Sequence, residues 1–370
     1  MKVLHLVSKL GKGGAEKLLV DILPVYKEMG IEVDLLLLSE IGSEPAFLTS
    51  LRQKGIKIYH LGSDSVYSPL YILRLRNFLS RHKYDIIHTH LFPALYWIAL
   101  ASRISAKKPV LVYTEHSTQN KRANKGYLRW IEKSMYSSLD KIVAVSNNVR
   151  DFLVGRVAPP EQVMVITNGV NIDSFSSAPI YDSSYWLKHF NLPEDSIKLM
   201  MTARINYPKD HATLVDALAL LPENYYLLLV GDGPDRLVIE QLAVSHNLSQ
   251  RVVFTGFRQD IPSLMKSVDI NILSSAYEGM SGVALEGLAS GKPFLGTNVP
   301  GINDVVPSSE MLFEYRNAKQ LAEKILAIGS MDQAAYQRLI DTGVAHAAKN
   351  SLREMASKHL KLYSELLAAC

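Results

Sequence analysis

Short apolar runs alternate with longer segments of helical period from one end of the chain to the other, and few folds accommodate that alternation. KVLHLVS is followed by GGAEKLLVDILPVYKEMG and then EVDLLLLS; YDIIHTH is followed by LYWIALASRIS and then VLVYTEH. Further on, KLMMTARI leads to HATLVDALALL, YYLLLVGDG, LVIEQLAVSHNL and VVFTGF. Strands that are apolar on both faces, each followed by a helix, predict parallel sheets covered by helices on both sides. The pattern runs twice, and a stretch rich in Ser, Pro and Asp, Asp173–Ile197, interrupts it. The fold class is therefore α/β, with two Rossmann-like doubly wound domains facing across a cleft. At 370 residues the chain is long enough for two cores. In such sheets ligands sit beyond the carboxyl ends of the strands, so functional residues are expected directly after strands in both halves.

Composition removes several function classes. The single cysteine, Cys370, excludes a disulfide framework and a thiolate metal cluster, and it suits a reducing cytoplasm. The apolar run at the N-terminus is too short for a signal peptide and reads as a first strand. No uncharged stretch approaches the ~20 residues of a membrane span. The chain is expected to be soluble or peripheral. Its net charge of +4 is unevenly spread: residues 1–178 carry 23 Lys and Arg against 15 Asp and Glu, and residues 179–370 carry 17 against 21. The basic segment KRANKGYLRWIEK (Lys121–Lys133) has two readings, a solvated helical face or a surface that meets anionic lipid or a phosphorylated acceptor. The modest excess and the lack of a recurring aromatic–basic motif argue against nucleic acid.

The most informative stretch of the second half is YEGMSGVALEGLASGKP, which follows the strand DINILSS and opens a helix at about Val283. N–H groups at a helix start form an anion site, and glycine lets the backbone approach a phosphate. Glu278 precedes the turn Gly279, Met280, Ser281, Gly282, and Glu286 lies about one helical turn beyond it. Two acids flanking an amide cradle suit a ligand with sugar, phosphate and sugar in a row, a nucleotide sugar. The competing reading has Glu286 complementing the helix dipole and Glu278 as an ordinary turn residue. MTARINYPKDH places Arg204 and Lys209 just past another strand, as a diphosphate-binding pair or as plain surface charges. VGDGP is a bare turn or a pocket wall, and TGFRQDIP, with Arg258, is placed on the donor side, where its backbone reads a base edge.

In the first half SKLGKGGAEK opens a helix directly after a strand but lacks the G-x-G-x-x-G spacing of dinucleotide sites. IIHTH and YTEHST put histidines at two more strand ends; such histidines are commonly structural, and with no cysteine beside them they make a poor zinc site. Neither half has a D-x-D pair beside a strand, so a metal-held diphosphate is not indicated and no metal site is assigned.

Taken together these segments resemble the family 4 glycosyltransferases, retaining enzymes of GT-B fold, over most of the chain. Gly13-Gly14-Ala15-Glu16 is similar to the family's G-G-[AV]-E, and TEHST to its histidine segment. VSNNVRDFL and VITNGVNIDSF resemble its end-of-domain segments, with Asn171 where Asp is common. ARINYPKDH matches R-x4-K, and YEGMSGVALEGLASGKP matches E-G-x6-E-x-x-A-x-G-x-P. The resemblance implies a nucleoside-diphosphate sugar as donor, with no cofactor. Arg204 and Lys209 then bind its diphosphate, Glu286 the ribose hydroxyls, and Glu278 the hydroxyls of the transferred sugar, assisted by the amides of Gly279 to Gly282. His116 touches the sugar near the reacting carbon, and Gly13 and Gly14 close over the phosphates.

Two departures stand out. The turn is EGMSG where the family often has EGLP, which is expected to loosen the turn or admit a different sugar, and Gly287 replaces the usual Ala. The resemblance also implies that Ser351–Cys370 packs on the first domain, giving domains 1–178 plus 351–370 and 179–350.

The reaction expected is transfer of a hexosyl unit to an acceptor hydroxyl with retention. The acceptor is expected to be a lipid-linked or growing surface glycan at the inner face of the cell membrane. A sugar-nucleotide epimerase of the same plan and a non-catalytic nucleotide-sugar-binding protein are the alternatives.

Overall fold

The computed structural model describes residues 1–105, 109–117 and 126–369. The strands among them are β1 (Lys2–Val7), β2 (Glu32–Ser39), β3 (Lys57–Gly62), β4 (Ile86–His90), β5 (Val110–Glu115), β6 (Lys141–Ala144), β7 (Val163–Val165), β8 (Ile197–Thr202), β9 (Tyr225–Val230), β10 (Val252–Gly256), β11 (Ile270–Leu273), β12 (Phe294–Thr297) and β13 (Leu312–Phe313). They form two sheets, in the orders β3-β2-β1-β4-β5-β6-β7 and β10-β9-β8-β11-β12-β13. Adjacent named strands run parallel, as from β1 to β2 and β4 and from β8 to β9 and β11. The second sheet repeats the strand order of the first, and in each the direction of winding reverses once, between β1 and β4 and between β8 and β11. These are the switch points at which doubly wound sheets bind ligands. The runs of Leu and Val fit this architecture: β4 is buried along its whole length and β2 from its second residue onward, because helices cover both faces.

The chain divides into a first unit, Met1–Gly169 with Leu352–Cys370, and a second unit, Val170–Ser351. The division falls at Gly169, ahead of the expected position 178, because the intervening residues are tied to the second unit. Lys266 Nζ donates to the carbonyls of Phe175 at 2.8 Å and Ala178 at 3.0 Å, and Phe175 is buried. Asn171 caps the helix Ile172–Ser176 by accepting from Ser174 N–H, the task an Asp performs equally well. The C-terminal helix Leu352–Ala368 buries Leu352, Met355, Ala356, Leu362 and Tyr363 in the core of the first unit.

That core has an unusual polar centre. His5 of β1, His88 and His90 of β4, and His359 and Tyr363 of the C-terminal helix are buried together with Tyr26 of the helix Gly14–Glu28. His5 Nδ1 and His90 Nε2 are 3.0 Å apart, and His88 is bonded on both sides, to Tyr363 OH at 2.5 Å and Thr114 Oγ1 at 2.6 Å. Tyr26 OH meets His359 Nδ1 at 2.8 Å. The ligand-capable nitrogens of His5, His88 and His90 lie within 4.8 Å of one another, as metal ligands do. Their rings stack on one another; both nitrogens of His88 and the facing nitrogens of His5 and His90 have protein partners, while His5 Nε2 is buried with none among the described residues.

Burial holds every one of these imidazoles neutral. It lowers the pKa of His5 and His359 to about 3, and of the neighbouring His116 to about 4; His88 and His90 lie well below the usual value through burial and the surrounding histidines. The folded state therefore binds fewer protons than the unfolded chain below pH 6.5. The stability this provides is complete above that pH and is lost as pH falls toward the depressed values, by about 1.4 kcal/mol per pH unit for each histidine. The second unit has one such fully buried imidazole, His211, among its described residues. We expect the first unit to lose amide protection before the second when the protein is taken from pH 7.5 to pH 5. Hydrogen exchange read by mass spectrometry checks this, and equal protection of both units at pH 5 contradicts it.

Candidate functional site

The segments that leave β8 and β11 run antiparallel to each other just past the switch point of the second sheet. Asp210 N–H donates to Ser274 O at 3.1 Å, Ala276 N–H to Pro208 O at 2.9 Å, and Lys209 and Ser275 form an isolated bridge. Asp210 adds side-chain links: it caps the helix His211–Leu218 through Thr213 N–H and accepts from Ser274 Oγ at 3.2 Å. Short hydrogen bonds between two loops fix the backbone on which the functional side chains stand. Lys209 and Glu278, 69 positions apart, meet as an ion pair, with 19% and 15% of their side chains exposed. Neighbouring Arg204 is exposed.

Two further loops support this pair. The turn after β9 passes so close that a Cβ on Gly231 would lie 2.0 Å from Ala203 O, and one on Gly233 2.1 Å from Ile205 O. VGDGP is thus the brace beneath the Arg204 loop, reinforced by Ile205 N–H to Asp232 O and Tyr207 N–H to Asp235 Oδ2. The loop after β12 supports the glutamate: Glu278 N–H donates to Pro300 O at 3.1 Å, and Ser281 N–H to Gly301 O at 2.9 Å. Gly301 has φ +84°, and a Cβ there would lie 2.3 Å from Glu278 O. Ser281 caps the helix Gly282–Ala289 by accepting from Ala284 N–H. Its hydroxyl and its N–H are therefore both engaged within the protein. Of the expected cradle, Gly282 N–H at the first helical position retains the geometry for an anion. Met280 is buried, and Glu286 is half-buried on the same helix.

Arg258 has partners within its own unit. Its guanidinium is locked onto Asp260 by bonds of 2.8 and 2.6 Å and onto Tyr185 OH at 2.8 Å, with Phe190 beneath it. Asp260 raises the pKa of Arg258 further and itself accepts from Tyr181 OH. This knot ties the helix Ser183–Phe190 to the segment after β10 through Nε and Nη2 of Arg258.

In the first unit the expected residues also gather at strand ends. Gly13 caps the helix Gly14–Glu28 without a side chain, and a Cβ there would lie 2.3 Å from Glu16 Oε2; around Gly14 there is open space. His116 follows β5, with its ring 5.9 Å from that of His90. Its buried Nε2 has no partner among the described residues. Sequence reasoning missed Glu115, the buried acid beside it. Glu115 accepts from Tyr136 OH at 2.9 Å and from His116 N–H at 3.1 Å, and so sets the direction of the histidine's backbone. Gly301 and Asp210 were missed as well; the glycine after Val-Pro was the available signal for the first. Lys121–Lys125 of the basic segment lie outside the described residues. Its remainder enters the helix Arg129–Tyr136, which buries Glu132, Met135 and Tyr136 and leaves Trp130 69% exposed, with Tyr127 just before it 68% exposed. Among the described residues no helix is long and apolar enough to cross a membrane.

The model of Glycosyltransferase Family 4 matches residues 12–174, and that of Glycosyl transferases group 1 matches residues 183–344. The chain is 28% identical over 250 residues to the UDP-Gal:alpha-D-GlcNAc-diphosphoundecaprenol alpha-1,3-galactosyltransferase of Escherichia coli. That match covers 64% of this chain and 63% of the relative. It is 27% identical over 292 residues to the N-acetyl-alpha-D-glucosaminyl L-malate synthase of Bacillus anthracis, covering 73% and 74%. In fold it is similar to Anabaena HepE, solved in complex with UDP and glucose, with a TM-score of 0.84 over 99% of this chain and 100% of HepE at 24% identity.

Two glycines make the geometry testable. Gly301→Ala forces a side chain into a left-handed backbone and against Glu278, and is expected to cost ~1–3 kcal/mol of stability. Gly287→Ala drives a methyl to 2.4 Å from the Phe294 ring and is expected to cost about as much, ~1–3 kcal/mol, by overpacking. Adding Phe294→Leu should recover part of the loss in the second case only. Thermal or denaturant unfolding measures both, and wild-type stability of either single variant contradicts the packing described.

Proposed function

The chain belongs to the glycosyltransferases, with a family 4 first half and a group 1 second half, and on that premise we propose that it transfers a hexosyl unit from a nucleoside-diphosphate sugar to a glycan or lipid-linked acceptor hydroxyl with retention. The observation that carries this reading is the meeting of Lys209 and Glu278 beside the helix start at Gly282, with Arg204 exposed next to them. A cation and a carboxylate meet there, the loop of Lys209 also carries the exposed Arg204, and the turn after Glu278 opens a helix at Gly282. That is the chemistry of a pyrophosphate bonded to a polyol. UDP and a hexose are bound in HepE, and the galactosyltransferase relative is named for UDP-Gal.

In this reading Arg204, Lys209 and Gly282 N–H stabilise the charge that develops on the leaving diphosphate, the largest contribution such sites make. Two side-chain cations take the place of a bound metal, so the reaction needs neither a metal nor an organic cofactor. The acceptor hydroxyl attacks from the face the diphosphate leaves, and a phosphate oxygen receives its proton. Glu278 positions sugar hydroxyls, Glu286 holds the ribose, and Gly13 and Gly14 approach the phosphates. His116, neutral at physiological pH because burial depresses its pKa to about 4, acts as a hydrogen-bonding group and not as an acid. Lys209→Ala is expected to lower kcat by about 100-fold or more, while Glu286→Ala chiefly raises the KM for donor, and EDTA leaves wild-type activity unchanged. A thermal-shift screen of UDP-, GDP- and ADP-sugars followed by a transfer assay supplies these numbers. Wild-type kinetics in both variants removes the assignment.

The acceptor side of the proposal rests on the first unit's surface. Trp130 and Tyr127 stand exposed on either side of Arg129, with Lys133 on the same helix. Apolar rings among cations suit the headgroup region of an anionic bilayer and support a peripheral position at the cytoplasmic face of the membrane as our reading. We expect co-flotation with liposomes containing phosphatidylglycerol but not with pure phosphatidylcholine, and weaker flotation of Trp130→Glu. Equal flotation of that variant counts against the surface.

A further inference from the structure

We propose that the Lys209–Glu278 pair makes the second unit distinguish the sugar-bearing donor from the spent nucleoside diphosphate and so favours departure of the product. The inference rests on the donor reading above and assigns Glu278 a task beyond contacting the sugar.

Both partners are held for each other by their backbones. Lys209 N–H donates to Asn206 O at 2.9 Å and the residue bridges to Ser275, while Glu278 is fixed by Pro300 O and backed by Gly301. Neither side chain is more than about a fifth exposed, so solvent and salt screen the pair weakly. Arg204 is exposed, and no partner for its side chain is found among the described residues. An arriving diphosphate meets Arg204 and the helix start without hindrance, but it engages Lys209 only by drawing the ammonium away from Glu278. The carboxylate is then a partly buried anion next to a second anion, and stranding one member of such a pair is far costlier than removing both.

The two ligands differ in what they offer that carboxylate. A sugar attached to the diphosphate presents hydroxyl groups that donate to it and replace the lost cation. The free nucleoside diphosphate presents no donor there and carries an additional negative charge on its terminal phosphate. Glu278 therefore penalises the product more than the donor. The repulsion rejects the wrong ligand while the hydroxyl contacts retain the right one, and specificity is the difference between the two. Once transfer has removed the sugar, the ion pair re-forms as the diphosphate leaves.

The test is calorimetric titration of the full chain with three probe pairs: UDP and UDP-galactose, GDP and GDP-mannose, ADP and ADP-glucose. The pair that binds wild type is carried to Glu278→Gln and Glu278→Asp. Gln keeps the shape and removes the charge, so the diphosphate is expected to bind ~10-fold more tightly or better while the sugar nucleotide does not gain, and product inhibition in the transfer assay strengthens in parallel. Asp keeps the charge on a shorter arm, so the wild-type order of the two ligands is retained; a change caused by disturbance of the turn would appear in both variants. Unchanged diphosphate affinity in Glu278→Gln, with sugar-nucleotide binding weakened, overturns the proposal and leaves the donor reading standing. Failure of every probe pair to bind wild type overturns the donor reading and this proposal with it.

Discussion

The site depends on a backbone contact. β8 and β11 are neighbours in their sheet although 67 residues of chain separate Thr202 and Ile270, and the segments that leave them zip together through Pro208–Ala276 and Asp210–Ser274 bonds. Every later feature follows from that zipper. It brings an ammonium and a carboxylate into contact, and the turn that follows the carboxylate opens the helix Gly282–Ala289. The brace from β9 needs glycine at 231 and 233, and the support from β12 needs it at 301, because in each case the carbonyl of another loop occupies the volume of a Cβ. Four consecutive strand ends of one sheet thus converge on one site, as expected where a doubly wound sheet reverses its winding.

Much of this was legible in the sequence because it was local. Apolar runs alternating with helical periods gave two parallel sheets, and the spacing within ARINYPKDH and YEGMSGVALEGL placed cations and acids directly after strands. What escaped notice was set by partners distant in sequence. Arg258 is bonded to Asp260, two positions on, and nothing local announced that Tyr185, 73 positions away, would join them. Glu115 passed as a neighbour of His116, although its role comes from Tyr136. The histidine core could not be read at all. Tyr26 and His359 are 333 positions apart, and only a C-terminal helix returned to the first unit brings them together.

The two units handle ionisable groups in opposite ways. In the first, five histidines, on strands, just past a strand and on the C-terminal helix, are buried deeply enough to remain uncharged, and their hydrogen bonds run mostly to one another and to tyrosine and threonine hydroxyls. A neutral imidazole can donate at one nitrogen and accept at the other, so such a core is polar without being charged. It surrounds the ring of His90, and so the neighbouring His116, without adding a charge. In the second, Lys209 and Glu278 remain an ion pair near the surface and Arg204 stays in solvent, where a charge costs little to maintain and is available to a phosphate. Neutral imidazoles in one unit and a surface ion pair in the other are what the two environments produce.

The turn EGMSG shows how a missing motif residue is replaced in structure. Proline at the position of Ser281 would stiffen the turn by fixing φ, and its absence suggested a looser one. Ser281 in fact holds φ at −87°, a value open to proline too, yet it makes two bonds proline cannot. Its N–H reaches Gly301 O at 2.9 Å and its hydroxyl accepts from Ala284 N–H at 3.2 Å. The first bond ties the turn to the loop after β12, and the second closes the helix N-terminus. Entropy lost by the unfolded chain gives way to hydrogen bonds made in the folded one, and the turn stays ordered by a different route. The same exchange occurs at Gly287, where the methyl of the usual Ala is given up and the Phe294 ring fills the space. Departures from a motif that look like losses in one dimension are here matched by neighbours that only the fold brings within reach.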